Sequence, residues 1–111
     1  MAKRSAEGIV RGTSNVFADL GFEDAEERLT KLRLAQAINA IITERGLTQT
    51  SAGKLLGAGQ PKVSALANYR LDGLSVERLL GFLTSLDRDV DIVIRKRSKS
   101  TGTGRILVKA A

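Results

Sequence analysis

The stretch QTSAGKLLGAGQPKVSALAN, residues 49–68, decides the fold of this chain. It reads as two short helices joined by a tight turn and crossing steeply, a crossing that constrains residue size. The fifth position lies under the second helix and must be small; it is Gly53, although glycine inside a helix costs about 1 kcal/mol relative to alanine. The ninth must turn the chain, usually at a positive φ, and it is Gly57. The fourth, eighth, fifteenth and eighteenth must be apolar to fill the wedge, and they are Ala52, Leu56, Val63 and Leu66. An ordinary helical hairpin shares the apolar positions. Meeting all the constraints together points to a helix-turn-helix.

Working outward, Thr48 stands at the N-cap of the first short helix, with Leu55 expected inward beside Ala52 and Leu56. Pro61 falls in the first turn of the second helix, where its missing N–H is harmless. Ala67 is expected inward with Val63 and Leu66. Upstream, Asp24 and Glu27 have the spacing of a capping box. A helix is predicted from there to about Arg45, with Leu34, Ile38, Ile41 and Ile42 on one face and Gly46 as its left-handed cap. Leu29 and Leu32 add an earlier apolar patch.

Downstream, Asn68, Arg70, Asp72 and Gly73 mark a loop. Ser75 caps a further helix with Val76, Leu79, Leu80, Leu83 and Leu86 inward. DVDIVIR then alternates, with Val90, Ile92 and Ile94 on one face, and predicts a strand over 90–95. A lone strand leaves its N–H and C=O groups without partners. Either NVFADL at 15–20 pairs with it or a second copy of the chain does, which makes Val90, Ile92 and Ile94 the candidate dimer interface. RILV at 105–108 is a weaker candidate for extending a sheet. The expected organisation is a mainly α, compact domain of four to five helices over 15–97, between flexible basic segments at 1–14 and 98–111.

Composition narrows the chemistry. The chain has 111 residues, 42% of them hydrophobic, which suits one small domain. It contains neither cysteine nor histidine, which removes the usual zinc ligands and the usual general base at neutral pH. No catalytic residue, metal or cofactor is therefore expected. Glu26/Glu27 and Asp87/Asp89 sit where capping and solvation explain them. GAGQPK lacks the ending of a phosphate-binding loop, and TGTGR is a lone glycine pair. No apolar run reaches the roughly 20 residues that span a bilayer. The first ten residues lack a secretory apolar core, so no membrane association and a cytoplasmic location are expected.

The net charge is +6, but its placement matters more than its size. Residues 1–14 carry +2 and residues 95–111 carry +6, so the middle of the chain is slightly acidic. Within that middle, residues 45–71 hold Arg45, Lys54, Lys62 and Arg70 and no acid. An acid-free window in an acidic domain, coincident with the helix-turn-helix, points to nucleic acid. The second short helix is then the element laid in the major groove. Its expected outward residues are Gln60, Lys62, Ser64, Ala65 and Asn68, the candidate base readers. Gln and Asn suit adenine, Lys suits guanine, and Ala suits the thymine methyl. Thr48 and Gln49 at the start of the preceding helix, with Arg45, Lys54 and Arg70, are the candidate phosphate contacts.

On GLTQTSAGKLLGAGQPKVSALAN, and especially LTQ at 47–49 and GQPKVS at 59–64, the chain resembles the Cro/cI-like (XRE) helix-turn-helix family. Over about 15–97 the layout also resembles the antitoxins of HigBA-type toxin–antitoxin pairs, some relatives of which are known simply as transcriptional regulators. The resemblance implies a homodimeric repressor of a palindromic double-stranded operator, often its own promoter, and a small ribonuclease toxin as partner. It carries the family's paired glutamines onto Gln49 and Gln60. Two alternatives stay open, a stand-alone regulator and a protein-interaction module that binds a toxin or other partner. The chain departs from the pattern at Ala52-Gly53 and at Gly57-Ala58-Gly59, where Gly59 replaces a residue that would cap the recognition helix.

Overall fold

The computed structural model describes residues 24–97 and 104–110. Four helices are present among them: α1 Asp24–Glu44, α2 Gln49–Leu56, α3 Gln60–Ala67 and α4 Val76–Ser85. α1 packs chiefly on α4, and α2 on α3; α3 also rests on α1, and α2 on α4. None of the described helices is long and apolar enough to cross a membrane.

The core is one cluster. Leu34, Ile38 and Ile41 enter it from α1, Leu56 from α2, Leu66 from α3, and Leu79, Phe82 and Leu83 from α4, with Leu74 and Leu86 from the adjoining loops. Each such side chain contributes roughly 1.5–3 kcal/mol by leaving water. Phe82 is buried three residues after Leu79, one turn along the same stripe, and belongs with the inward residues expected for α4.

Several expected inward residues lie outside. Leu29 and Leu32 are 38% and 36% exposed. At 100° per residue they fall on the side of α1 opposite Leu34 and Ile38, so they cannot extend that stripe. Leu55 is 42% exposed, and Ala67 is exposed as well. By rotation they stand at the edge of each stripe, Leu55 about 60° from buried Ala52 and Ala67 about 40° from buried Val63, an edge that no described neighbour covers. At the start of α1, Glu27 pairs with Lys31 at 3.6 Å across one turn. Asp24 already belongs to the helix rather than preceding it.

The expected strand over 90–95 is not seen: among the described residues no segment forms a β-ladder. The physical reason is the one that makes any lone strand untenable, since within the described chain no segment meets its backbone groups. Val90 packs on the core, whereas Ile92, Val93 and Ile94 are 67–73% exposed. Val108, within the segment 98–111 expected to be flexible, packs against the core. The expectations for the arm at 1–14 and for NVFADLGF at 15–22 lie outside the described residues.

Candidate nucleic-acid interface

The start of α2 is fixed by a reciprocal cap. The Ser51 amide donates to Thr48 Oγ1 at 3.0 Å, and the Thr48 amide donates to Ser51 Oγ at 2.9 Å. Two orphan N–H groups are satisfied in this way. Thr48, the expected cap and phosphate contact, therefore has its hydroxyl committed to the cap, while Gln49 at the first helical position is exposed. No acid occurs in the first turn of α2 or of α3, so the positive ends of both helix dipoles are uncompensated there.

The turn between α2 and α3 meets every steric demand read from the sequence. Gly57 has φ 65° and caps α2 in the left-handed conformation. The amide of Ala58 donates to Gly53 O at 3.0 Å, folding the turn back on α2. A Cβ at Gly53 would lie 2.9 Å from Ala58 O and 3.4 Å from Val63 Cγ2. Glycine there is a requirement of the close approach, so the departure from the family pattern at Ala52-Gly53 is a tight contact. Ala52, Leu56, Val63 and Leu66 are all buried. Gly59 is the N-cap of α3 in extended conformation and has no side-chain cap, so Pro61 alone stiffens that end.

Gln49, Thr50, Gly53, Lys54, Gly57, Ala58 and Gln60 line one shallow concavity between the two helices. The paired glutamines thus share a single open surface with the Lys54 ammonium. On α3, Gln60 and Asn68 are exposed, whereas Lys62, Ser64 and Ala65 are half-buried. Lys62 is turned aside: its Nζ donates to Gly73 O at 2.7 Å and ties α3 to the loop that leads to α4. Asn68 is folded onto its own helix, its amide donating to Ser64 O at 2.9 Å. Gln60, Ser64 and Ala65 are the candidate base readers that carry no such side-chain tie among the described residues.

The candidate phosphate contacts divide in the same way. Lys54 and Arg70 are exposed. Arg45 reaches toward the end of α4 instead, donating to Leu86 O at 3.3 Å and lying 3.9 Å from Asp87 Oδ2. With the Arg88–Glu44 pair at 3.5 Å it fastens the C-terminus of α1 to that of α4.

Two residues escaped the sequence reading. Asn39 of α1 donates from Nδ2 to Leu66 O at 3.0 Å and so pins the last turn of α3 to the long helix. A polar residue at i+4 from Ala35 and i−3 from Ile42, both packed at the core, was its only signal. Tyr69 follows α3 with φ 57°, a conformation expected of glycine.

A helix-turn-helix domain family model matches residues 16–95. A solved structure described as an XRE family transcriptional regulator is 58% identical, with a TM-score of 0.76, covering 80% of this chain and 100% of that one. No curated protein matches.

Proposed function

The chain belongs to the helix-turn-helix domain family, of the XRE type, and from that premise we propose that it is a sequence-specific repressor binding a palindromic DNA operator as a homodimer. The observation that carries this reading is one exposed, acid-free surface on which Gln49 opens α2, Gln60 opens α3 and Lys54 lies between them. In the proposed complex α3 enters the major groove with Gln60, Ser64 and Ala65 toward the base edges, while Gln49, the start of α2, Lys54 and Arg70 meet phosphates. Lys62 and Asn68 join the base readers only by giving up their bonds to Gly73 O and Ser64 O. Each such exchange lowers the net gain from the new contact.

Dimerisation is assigned to residues 90–95. Ile92, Val93 and Ile94 stand exposed in an unpaired segment, and a second copy supplies both an apolar cover and the backbone partners that a strand needs. The two α3 helices then have to lie about 34 Å apart to reach successive major grooves. The basic ends at 1–14 and 95–111 add a salt-dependent, sequence-independent attraction. Autoregulation as the antitoxin of a toxin–antitoxin pair extends this reading. It is supported by the layout over 15–97 and tested by co-purification with the product of a neighbouring small gene.

The deciding experiment is selection of a duplex from a randomised pool, followed by binding titrations. Gln60→Ala with Ser64→Ala is expected to abolish preference for the selected site while the thermal unfolding midpoint stays put. Retention of that preference by the double variant overturns the assignment of α3 as the reading element.

A further inference from the structure

All four described helices end in the same backbone motif, with one residue in the left-handed conformation and the next amide reaching back five residues. After α1 this residue is Gly46, φ 65°, and Leu47 N donates to Ile42 O at 3.0 Å. After α2 it is Gly57, φ 65°, and Ala58 N donates to Gly53 O at 3.0 Å. After α4 it is Asp87, φ 64°, and Arg88 N donates to Leu83 O at 3.0 Å. After α3 it is Tyr69, φ 57°, and Arg70 N donates to Ala65 O at 2.8 Å. Glycine takes this conformation freely, and aspartate tolerates it. Asp87 also faces Arg45 from there. A bulky aromatic in the same place is an outlier.

Nothing among the described residues compensates Tyr69. Its side chain is not among those packed on the core, and the residue is 44% exposed. Its hydroxyl has no hydrogen-bond partner among the described residues. A strained, unburied and unbonded aromatic is accounted for when something outside the chain holds it.

We propose that Tyr69 is a DNA-backbone contact, its phenol hydroxyl donating to a phosphate at the edge of the groove that α3 enters; this rests on the DNA-binding reading above. Position and charge both favour it. The eight residues of α3 span about 12 Å, and the major groove is about 12 Å wide. With the start of α3 toward the bases, the chain leaving its end meets the sugar–phosphate wall. Arg70 beside it is exposed, and no acid between residues 45 and 71 repels a phosphate. Tyrosine hydroxyls are regular donors to phosphate oxygens.

The test uses the full chain and the duplex that the wild-type protein enriches from a randomised pool. Tyr69→Phe removes only the hydroxyl and is expected to weaken binding about threefold to tenfold, equally on the selected site and on its single-base variants. Tyr69→Gly should weaken it at least as much without lowering the thermal midpoint, because it relieves the backbone. A neutral donor releases no counterion, so both variants keep the wild-type salt slope, whereas Arg70→Ala lowers that slope by about one. Wild-type affinity in Tyr69→Phe overturns the proposal. So does a reduced salt slope in Tyr69→Gly, since Tyr69 then only positions Arg70, and so does a lowered midpoint, since the ring then serves the fold. If Gln60→Ala loses binding and Tyr69→Phe does not, this inference alone falls. If the wild-type protein enriches no duplex, the DNA-binding reading falls with it.

Discussion

Gly53→Ala isolates the contact on which the helix-turn-helix depends. The added methyl carbon would stand 2.9 Å from Ala58 O and 3.4 Å from Val63 Cγ2. Carbon–oxygen contacts settle at about 3.3–3.6 Å, so the turn and α2 must separate by roughly half an ångström. The carbonyl cannot simply swing away. The Ala58 amide is bonded to Gly53 O at 3.0 Å, and Gly57 holds the turn at φ 65°. Overpacking of this kind costs about 1–3 kcal/mol, while replacing a mid-helix glycine by alanine returns about 1 kcal/mol. The steric effect wins by about 1 kcal/mol, which for a domain of this size lowers the unfolding midpoint by about 4–8 °C. Thermal and urea unfolding measure this directly, and Gly53→Val, bulkier and a poorer helix former, must fall further. The displaced turn also moves Gln60 relative to Gln49, so DNA affinity should drop beyond what the lost stability explains. A Gly53→Ala protein more stable than wild type refutes the reasoning, because the close approach would then have no energetic weight.

Thr48→Ala removes the bond from the Ser51 amide to Thr48 Oγ1, leaves the one from the Thr48 amide to Ser51 Oγ, and is expected to cost about 1 kcal/mol in urea unfolding. Asn39→Leu removes the bond to Leu66 O; stability should fall by about 1 kcal/mol, and operator affinity should fall as well, since the last turn of α3 loses its anchor on α1. Glu44→Ala breaks an ion pair whose side chains are 45% and 72% exposed. Its effect should stay below about 0.5 kcal/mol at 0.15 M salt, and a larger loss would show the α1–α4 fastening to be stronger than surface pairs generally are. Ile92→Asp with Ile94→Asp is expected to convert a dimer into a folded monomer in sedimentation equilibrium and to weaken binding to a two-half-site operator far more than to one half-site.

Much of the fold was legible because helix geometry is local. Thr48 as a cap, Gly46 and Gly57 as left-handed ends, and Ser75, whose hydroxyl accepts from the Arg78 amide at 3.0 Å, follow from what one turn of helix leaves unsatisfied. The pattern of Ala52, Leu56, Val63 and Leu66 was equally readable, because two eight-residue helices can cross closely only with small and apolar residues at fixed offsets. The misplaced residues had a geometric cause. Leu29 and Leu32 were grouped by apolarity, whereas rotation of 100° per residue turns them away from the core; Leu55 and Ala67 have the right spacing and are exposed because no described neighbour covers that edge of their short helices.

The candidate interface was legible as a surface and illegible as a set of contacts. Residue types and spacing alone placed Gln49, Lys54 and Gln60 on an open face free of acids, because exposure and charge follow from the helical register. Which long side chains stay available there is a tertiary matter. Lys62 lies in the outward list by sequence, yet Gly73 O, eleven residues away, comes within 2.7 Å and takes its ammonium. Arg45 likewise looks free until the end of α4 arrives beside it. The hold of Asn39 on α3 spans 27 residues and exists only once α1 and α3 have packed. By itself, the sequence determined where this chain turns and which stripes it buries, since those depend on groups within one helical turn of each other. Only the tertiary structure decided which polar side chains are spent on the fold and which remain for a partner, since that depends on carbonyls and carboxylates brought together from distant parts of the chain.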